Sequence, residues 1–200
     1  TYAEIESRIV PPTFSNAVFK ANLKTKASAA ANQKGLQKAI DKCSQAGGGK
    51  VVVPAGTFMT GAITLKENVN LVLEKGALLK FAFDNTLYPN VYTRWEGLDL
   101  INYQPCIYAN GVKNIAITGQ GTIDGNGSRE TFWQWTGLER FGYKQGITAE
   151  DCKFPVAGAE LGARDLLQKM CEDNIPVEKR VFGKGSGLRP QLVDFVECEN

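Results

Sequence analysis

Histidine is absent from this chain of 200 residues. The absence excludes serine–histidine–aspartate and cysteine–histidine catalysis, together with the common zinc sites that use histidine. Long apolar runs are also missing, because no stretch approaches the roughly 18 residues of a membrane span. Nothing at Thr1 resembles a signal peptide, which fits a cytoplasmic protein or a processed, exported one.

The sequence also lacks a large excess of charge of either sign. The formal net charge is +2, from 23 basic and 21 acidic residues. The basic residues look scattered, and no lysine or arginine run is interleaved with aromatic residues. The composition therefore gives no indication of a nucleic-acid partner or a membrane surface.

Cysteine is present but forms no recognisable pattern. The number is odd, no CxxC pair occurs, and the five positions lie far apart: Cys43, Cys106, Cys152, Cys171 and Cys198. We expect small buried side chains rather than a metal site, and no cofactor is predicted. A Cys152–Cys171 disulfide stays open for an exported protein.

An amphipathic helix is predicted over residues 32–46. Apolar side chains recur there at the spacing i, i+3, i+4 and i+7. They are Leu36, Ala39, Ile40 and Cys43. Asn32 is the expected N-cap, and the glycines at 47–49 are expected to end the helix.

The glycine-rich stretch "AGGGKVVVPAGTF" could suggest a phosphate-binding loop. Such a loop follows a strand, precedes a helix and reads GxxxxGK[ST]. Here the helix comes first, and Lys50 is followed by Val51. The stretch is therefore interpreted as a helix stop followed by a strand.

Short strand signals fill residues 50–125. "KVVVP", "TFMTGAITL", "VNLVL" and "ALLKFAF" are rich in β-formers and separated by glycine, proline or asparagine. Asn68 and Asn114 begin two similar segments, 46 residues apart, which we interpret as two turns of about 23 residues. The pattern predicts an all-β solenoid whose first coils span 50–125 and whose end is covered by the helix.

The flanking segments are less regular. Residues 1–31 are predicted to be an irregular leader, and 126–188 an excursion from the solenoid that carries a second helix. The apolar face of that helix comprises Ala163, Leu166, Leu167, Met170 and Cys171. Strand signals resume in 189–200, the expected start of the next coil, and residues 1–200 are predicted to form a single domain.

Several segments together resemble the polygalacturonase family, glycoside hydrolase family 28. They are "LQKAIDKCSQAGGGKVVVPAGTFMTGAITLKENVNLVLEKGALLKF", "IYANGVKNIAITGQGTIDGNG", "YTRWEGLDLINYQPCIYA", "FWQWTG" and "PVEKRVFGKGSGLRPQLVDFVECEN". The last three resemble bacterial members. The resemblance covers about Leu36 to Asn200. It implies a right-handed parallel β-helix, inverting hydrolysis of α-linked galacturonic acid in pectin, a pectic polysaccharide as partner, and export.

The chain departs from the family pattern at two places. The turn of the type "GAxxDGxTD" ahead of the first helix is replaced by "KTKASAAANQKG". The Asn-Thr-Asp motif, the Asp-Asp pair, the Gly-His motif and the Arg-Ile-Lys motif are absent from the 200 residues. We therefore assign no catalytic residue here, expect the catalytic residues beyond residue 200, and expect this chain alone to be inactive.

Four residues are candidates for substrate binding. Trp133 and Trp135 could stack on sugar rings. Arg94 and Arg189 could bind the carboxylates of galacturonate in a bidentate manner. Asp124, in "TIDGNG", is interpreted as a turn residue because no second carboxylate recurs with it at strand spacing.

Other functions stay open. The chain could belong to a non-catalytic polysaccharide-binding module, a structural spike or adhesin, or a polysaccharide lyase. A trimer would favour the spike, and tight binding without cleavage would favour the module. A lyase would release unsaturated products, often with a calcium requirement, and no aspartate cluster suited to calcium is evident in the sequence.

Overall fold

The computed structural model describes residues 1–133, 159–183 and 186–199. Strands dominate, with three α-helices in the described ranges. The helices are α1 (Tyr2–Glu6), α2 (Ala29–Gln45) and α3 (Ala159–Glu172). The strands are β1 (Val18–Lys20), β2 (Gly49–Val53), β3 (Gly56–Thr60), β4 (Ile63–Thr64), β5 (Val69–Leu73), β6 (Ala77–Phe81), β7 (Asn90–Trp95), β8 (Leu98–Tyr103), β9 (Ile107–Asn110), β10 (Ala116–Gly119), β11 (Thr122–Asp124) and β12 (Val193–Val196).

Three parallel sheets form the body of the molecule. Their orders are β1-β2-β5-β10, β3-β6-β11 and β4-β9-β12. Successive strands enter successive sheets, so each coil of the chain adds one strand to each sheet. All pairings in these three sheets are parallel. The predicted solenoid is confirmed as a parallel β-helix.

The coil length differs from the prediction. Lys50 pairs with Asn70, an offset of 20 residues, and Asn70 pairs with Ala116, an offset of 46. The 46 residues between the repeated asparagines therefore make one coil, and the interpretation as two turns is wrong. The additional residues include the antiparallel hairpin β7–β8, which extends from the coil. Pairing depends on the inward-facing side chains and the turn positions, which an inserted loop leaves unchanged.

The repeated asparagines occupy equivalent turns of adjacent coils. Asn68 and Asn114 both have positive φ angles, 63° and 54°. Asparagine tolerates this left-handed conformation better than most residues. The Nδ2 atom of Asn114 donates to Oδ1 of Asn68 at 3.0 Å. The similarity seen in the sequence thus reflects a side-chain ladder at one corner of the β-helix.

The interior is a stack of apolar side chains that lie at paired positions. Val51 stacks on Leu71, and Phe58 stacks on Leu79; all four are buried. Burial of each such side chain contributes about 1.5–3 kcal/mol. Alternation along each strand therefore determines which residues enter this core.

Helix α2 begins earlier than predicted. It starts at Ala29, and the Oγ atom of Ser28 accepts from the amide of Ala31 at 3.2 Å. The assignment of Asn32 as N-cap is wrong because its side chain is buried and bonds the main chain of Lys24 and Met59. Three alanines with high helix propensity extend the helix by one turn.

The predicted irregular leader, residues 1–31, is also partly ordered. It contains α1, β1 and the first residues of α2. Strand β1 pairs with β2 in register Phe19↔Val51 and covers the first edge of that sheet. A three-residue strand gives too short a period-2 signal for sequence analysis to detect.

Glutamine side chains of α2 cover the exposed edge of β4. The Oε1 atom of Gln37 accepts from the amide of Thr64 at 2.8 Å, and its Nε2 donates to the Thr64 carbonyl at 2.9 Å. The Nε2 of Gln33 donates to the carbonyls of Ala62 and Leu87. These amides replace the strand that would otherwise pair there.

A second hydrophobic core lies beside the β-helix. It joins the hairpin β7–β8 to α3 and to the segment before β12. Its buried members are Trp95, Leu100, Leu167, Phe182 and Leu188. Leu166 was predicted on the apolar face of α3, but it is 53% exposed because only one side of the helix meets the hairpin.

Candidate functional site

A cavity of about 400 Å³ opens beside the start of β9 and β12 in the β4-β9-β12 sheet. Three parts of the chain form it: the tip of the β7–β8 hairpin, the turn after β11, and the residues that lead into β12. Its lining residues are Trp95, Glu96, Cys106, Gly125, Gly127, Phe132, Trp133, Arg189, Pro190, Gln191 and Leu192.

The hairpin forms the first wall. Its two-residue turn, Glu96-Gly97, has positive φ angles of 47° and 87°, as tight hairpins require. Glu96 pairs with Nε of Arg164 on α3 at 3.3 Å. The Oγ1 of Thr93 donates to Oδ2 of Asp194 on β12 at 2.6 Å. These contacts, with the second core, hold Trp95 at the edge of the cavity.

The turn after β11 forms the second wall. The Oδ1 of Asp124 accepts from the amide of Asn126 at 2.7 Å, and Asp124 lies 3.4 Å from Nζ of Lys80. The prediction that Asp124 is a turn residue agrees with this geometry. Phe132 contacts Phe83 edge-on, with ring centroids 4.8 Å apart. The turn therefore presents Trp133, which is 43% exposed, to the cavity.

Gly127 allows Trp133 to take this position. A Cβ atom at residue 127 would lie 2.9 Å from Nε1 of Trp133. Any larger residue would push the indole away from the turn. The "DGNG" sequence thus has a steric role beside the tryptophan.

The floor of the cavity comes from two adjacent coils. The amide of Cys106 donates to the carbonyl of Gln191 at 2.9 Å, and the Nε2 of Gln191 donates to the carbonyl of Arg94. Burial raises the pKa of the Cys106 thiol to about 12. The thiol therefore stays protonated at neutral pH and is unsuited to act as a nucleophile.

The predicted site residues fall into three groups. Trp133 and Arg189 both line the cavity, so the structure brings these two together. Arg94 is exposed outside the lining, where its Nε donates to Oδ1 of Asp99 at 2.8 Å. Trp135 lies outside the described residues.

Sequence reasoning missed other lining residues, Trp95 and Phe132 among them. The available signal was strand alternation: in β7 neighbouring side chains point to opposite faces. If Arg94 faces solvent, Trp95 must face inward. Strand alternation in the segment "TRW" therefore predicts that Trp95, and not Arg94, faces this cavity.

The described lining residues include few groups suited to acid–base chemistry. Among the described lining residues, Glu96 is the one carboxylate, and an inverting hydrolase needs two. No group of three histidine, cysteine, aspartate or glutamate side chains in the described ranges could hold a metal ion. Cys43, Cys106, Cys171 and Cys198 are free thiols, and Cys152 lies outside the described residues.

In the described part of the chain, no helix combines the length and apolarity of a membrane span.

The fold defines the class: this is a right-handed parallel β-helix, with a helical cap and a cavity against one sheet. No family model matches the chain. Over 106 residues it is 37% identical to the exo-poly-alpha-D-galacturonosidase of Dickeya chrysanthemi, a match that covers 48% of this chain and 17% of the relative. Over 102 residues it is 32% identical to the endo-polygalacturonase of Pectobacterium carotovorum, covering 46% and 24%.

The structural comparison extends over nearly the whole chain. The exopolygalacturonase of Thermotoga maritima matches with a TM-score of 0.86 and 35% identity, covering 98% of this chain and 42% of that one. The resemblance to the polygalacturonase family, glycoside hydrolase family 28, is thereby confirmed. The matched parts span less than half the length of these relatives.

Proposed function

We propose that this chain is part of a polygalacturonase-type glycoside hydrolase that cleaves α-linked galacturonic acid in pectin with inversion. The observation that carries the proposal is the match to the Thermotoga exopolygalacturonase, at 35% identity over 98% of this chain. Residues 1–200 then form part of one β-helical domain. Export to the periplasm or the extracellular space follows from the same relationship.

The cavity supplies substrate contacts in this proposal. The indole of Trp133 offers an apolar face on which a sugar ring stacks. The guanidinium of Arg189, on the same cavity, suits the carboxylate of a galacturonate unit. Arg94 and Trp135 remain candidates for contacts outside the described cavity.

The reaction itself needs two carboxyl groups about 6.5–9.5 Å apart, one protonating the leaving oxygen and one activating water. The described cavity lining supplies a single carboxylate, that of Glu96. Because the Asn-Thr-Asp and Asp-Asp motifs are also missing from the sequence, we propose that the acid and the base lie in coils that are not among these 200 residues. On this proposal the 200-residue chain alone releases no reducing ends from polygalacturonate.

The test uses the complete polypeptide and polygalacturonate. We expect reducing ends to be released with inverted anomeric configuration, detected by NMR early in the reaction. Trp133→Ala and Arg189→Gln should each raise KM by about tenfold, the loss expected for one stacking or charged contact. Lys179→Gln, an exposed change on a separate turn, is the control. Retained configuration would refute the mechanism, and unsaturated products would indicate a lyase instead.

We propose that the enzyme attacks the polymer from a chain end. The tip of the hairpin β7–β8 forms one wall of the cavity. The Dickeya and Thermotoga relatives are both named as exo-acting enzymes. Early accumulation of short products with little loss of viscosity supports this mode, whereas a rapid fall in viscosity contradicts it.

A non-catalytic polysaccharide-binding module is the second candidate. Its support is the single carboxylate among the described cavity residues. Tight binding of polygalacturonate without cleavage by the complete protein would favour the module over the hydrolase.

A further inference from the structure

The net charge of +2 conceals a strong asymmetry along the chain. Residues 9–66 contain eight lysines and one acidic residue, Asp41, which gives +7. The rest of the chain holds the other 15 basic and 20 acidic residues, which gives −5. The eight lysines are Lys20, Lys24, Lys26, Lys34, Lys38, Lys42, Lys50 and Lys66.

Three of these lysines lie on the capping helix. Lys34, Lys38 and Lys42 lie at spacing i, i+4 and i+8 on α2, and all three are exposed. At 1.5 Å rise per residue they are about 6 Å apart along the helix axis. We call this row the lysine row. The loop that carries Lys24 is held against the start of α2 by the Asn32 amide.

Among the residues that the structure describes, the lysine row has no counter-charge within ion-pair distance. In the described ranges, none of the eight lysines has a carboxylate oxygen within 4.0 Å, whereas Lys80, Lys113 and Lys169 do. Asp41, the one acidic residue in 9–66, accepts a hydrogen bond from the Gln37 side chain. The positive charge of the cap is therefore directed to solvent.

Folding does not require this arrangement. Lys42, in the last turn, favours the helix dipole, but Lys34 and Lys38 do not, and like charges at i, i+4 oppose helix formation slightly. A soluble surface is normally achieved with both signs interspersed. Glutamine at the same positions would keep the helix propensity and remove the repulsion.

We propose that the lysine row binds the pectic polymer outside the cavity, as an anchoring surface for a chain of carboxylates. This inference rests on the proposed function, which makes an acidic polysaccharide the natural partner. Weak contacts to one polyanion add together, so a row of cations binds a polymer much better than a single sugar. The field also raises the local concentration of polymer near the cavity at low salt.

The capping helix and the cavity both border the β4-β9-β12 sheet. Strand β4, which the capping helix covers, is separated from β12 by two strand spacings, about 10 Å. The cavity residues Cys106 and Gln191 belong to the two coils beyond β4. A polymer bound in the cavity has further carboxylates outside it that the lysine row can contact.

The test compares two triple variants of the complete enzyme. Lys34→Gln, Lys38→Gln and Lys42→Gln remove the lysine row, and a matched triple removes Lys75, Lys169 and Lys179, which are exposed elsewhere. Each exposed charge is expected to contribute about twofold. The first triple should therefore weaken polygalacturonate binding about tenfold in 20 mM salt and should flatten its dependence on salt. Digalacturonate turnover should stay unchanged.

Three outcomes separate the two proposals. If the unmodified enzyme cleaves polygalacturonate and both triples behave alike, the lysine row is not an anchoring surface, and the proposed function stands. If the unmodified enzyme neither cleaves nor binds the polymer, the proposed function fails. If the row binds duplex DNA or anionic vesicles as tightly as polygalacturonate at equal salt, the assignment to polysaccharide is wrong.

Discussion

The contact between Gln37 and the edge of β4 yields the sharpest prediction. One side-chain amide pairs with both the amide and the carbonyl of Thr64, at 2.8 and 2.9 Å. We propose to replace Gln37 with methionine, which has similar length and helix propensity but offers no strong hydrogen-bond donor or acceptor. Two main-chain groups of a partly buried edge then lose their protein partners.

The expected cost follows from those two hydrogen bonds. Each contributes about 1 kcal/mol net, so the free energy of unfolding should fall by about 2 kcal/mol. For a chain of this size the melting temperature should drop by about 5 °C. Gln45→Met, at the exposed end of the same helix, is the control and should change stability by less than about 0.5 kcal/mol.

Urea denaturation and size-exclusion chromatography measure two separate consequences. The first gives the change in stability, and the second detects association through the uncovered strand edge. Equal stabilities of the Gln37 and Gln45 variants, with both monomer fractions unchanged, would refute the idea that glutamines stand in for a missing strand.

Three further predictions concern single residues: a glycine, an asparagine and a cysteine. Gly119→Ala should cost about 3 kcal/mol in urea denaturation, because a Cβ there would lie 2.0 Å from the carbonyl oxygen of Leu73 at a φ of 105°; a normal stability would contradict this geometry. Asn32→Leu should cost a similar amount, about 3 kcal/mol, because three main-chain groups lose the amide that bonds them. Burial raises the pKa of Cys106 from 9.0 to about 12, so its contribution to stability is complete below pH 9 and is lost as the pH rises toward 12. Cys106→Ala should flatten that part of the melting-temperature profile, and an unchanged slope would show that other groups cause it.

Much of the fold was accessible from local pattern. The apolar spacing of Leu36 to Cys43 predicted the buried face of α2, and all four of those residues are buried. The short β-rich segments predicted strands because alternation and turn residues are local properties. The hairpin within the second coil was not predicted, since pairing partners depend on which edge is available in three dimensions.

The site was accessible only in part. Trp133 and Arg189 were singled out from side-chain chemistry, and the structure places both on the cavity lining; their role in substrate binding stays a prediction. Trp95 was missed because its position in the cavity wall depends on which face of β7 points inward. The lysine row was missed because the net charge of the whole chain, +2, combines the +7 of residues 9–66 with the −5 of the other residues.

The unequal coils show what a β-helix preserves. The first coil takes 20 residues to return to the same sheet and the next takes 46, yet Lys50, Asn70 and Ala116 stand in one row. An insertion in a loop between strands therefore leaves the pairing of the strands unchanged. Such a scaffold can change its surface loops by insertion while the packing of its interior stays the same. Alignments of relatives should accordingly be anchored on the paired strand positions, with gaps placed only in the turns between strands.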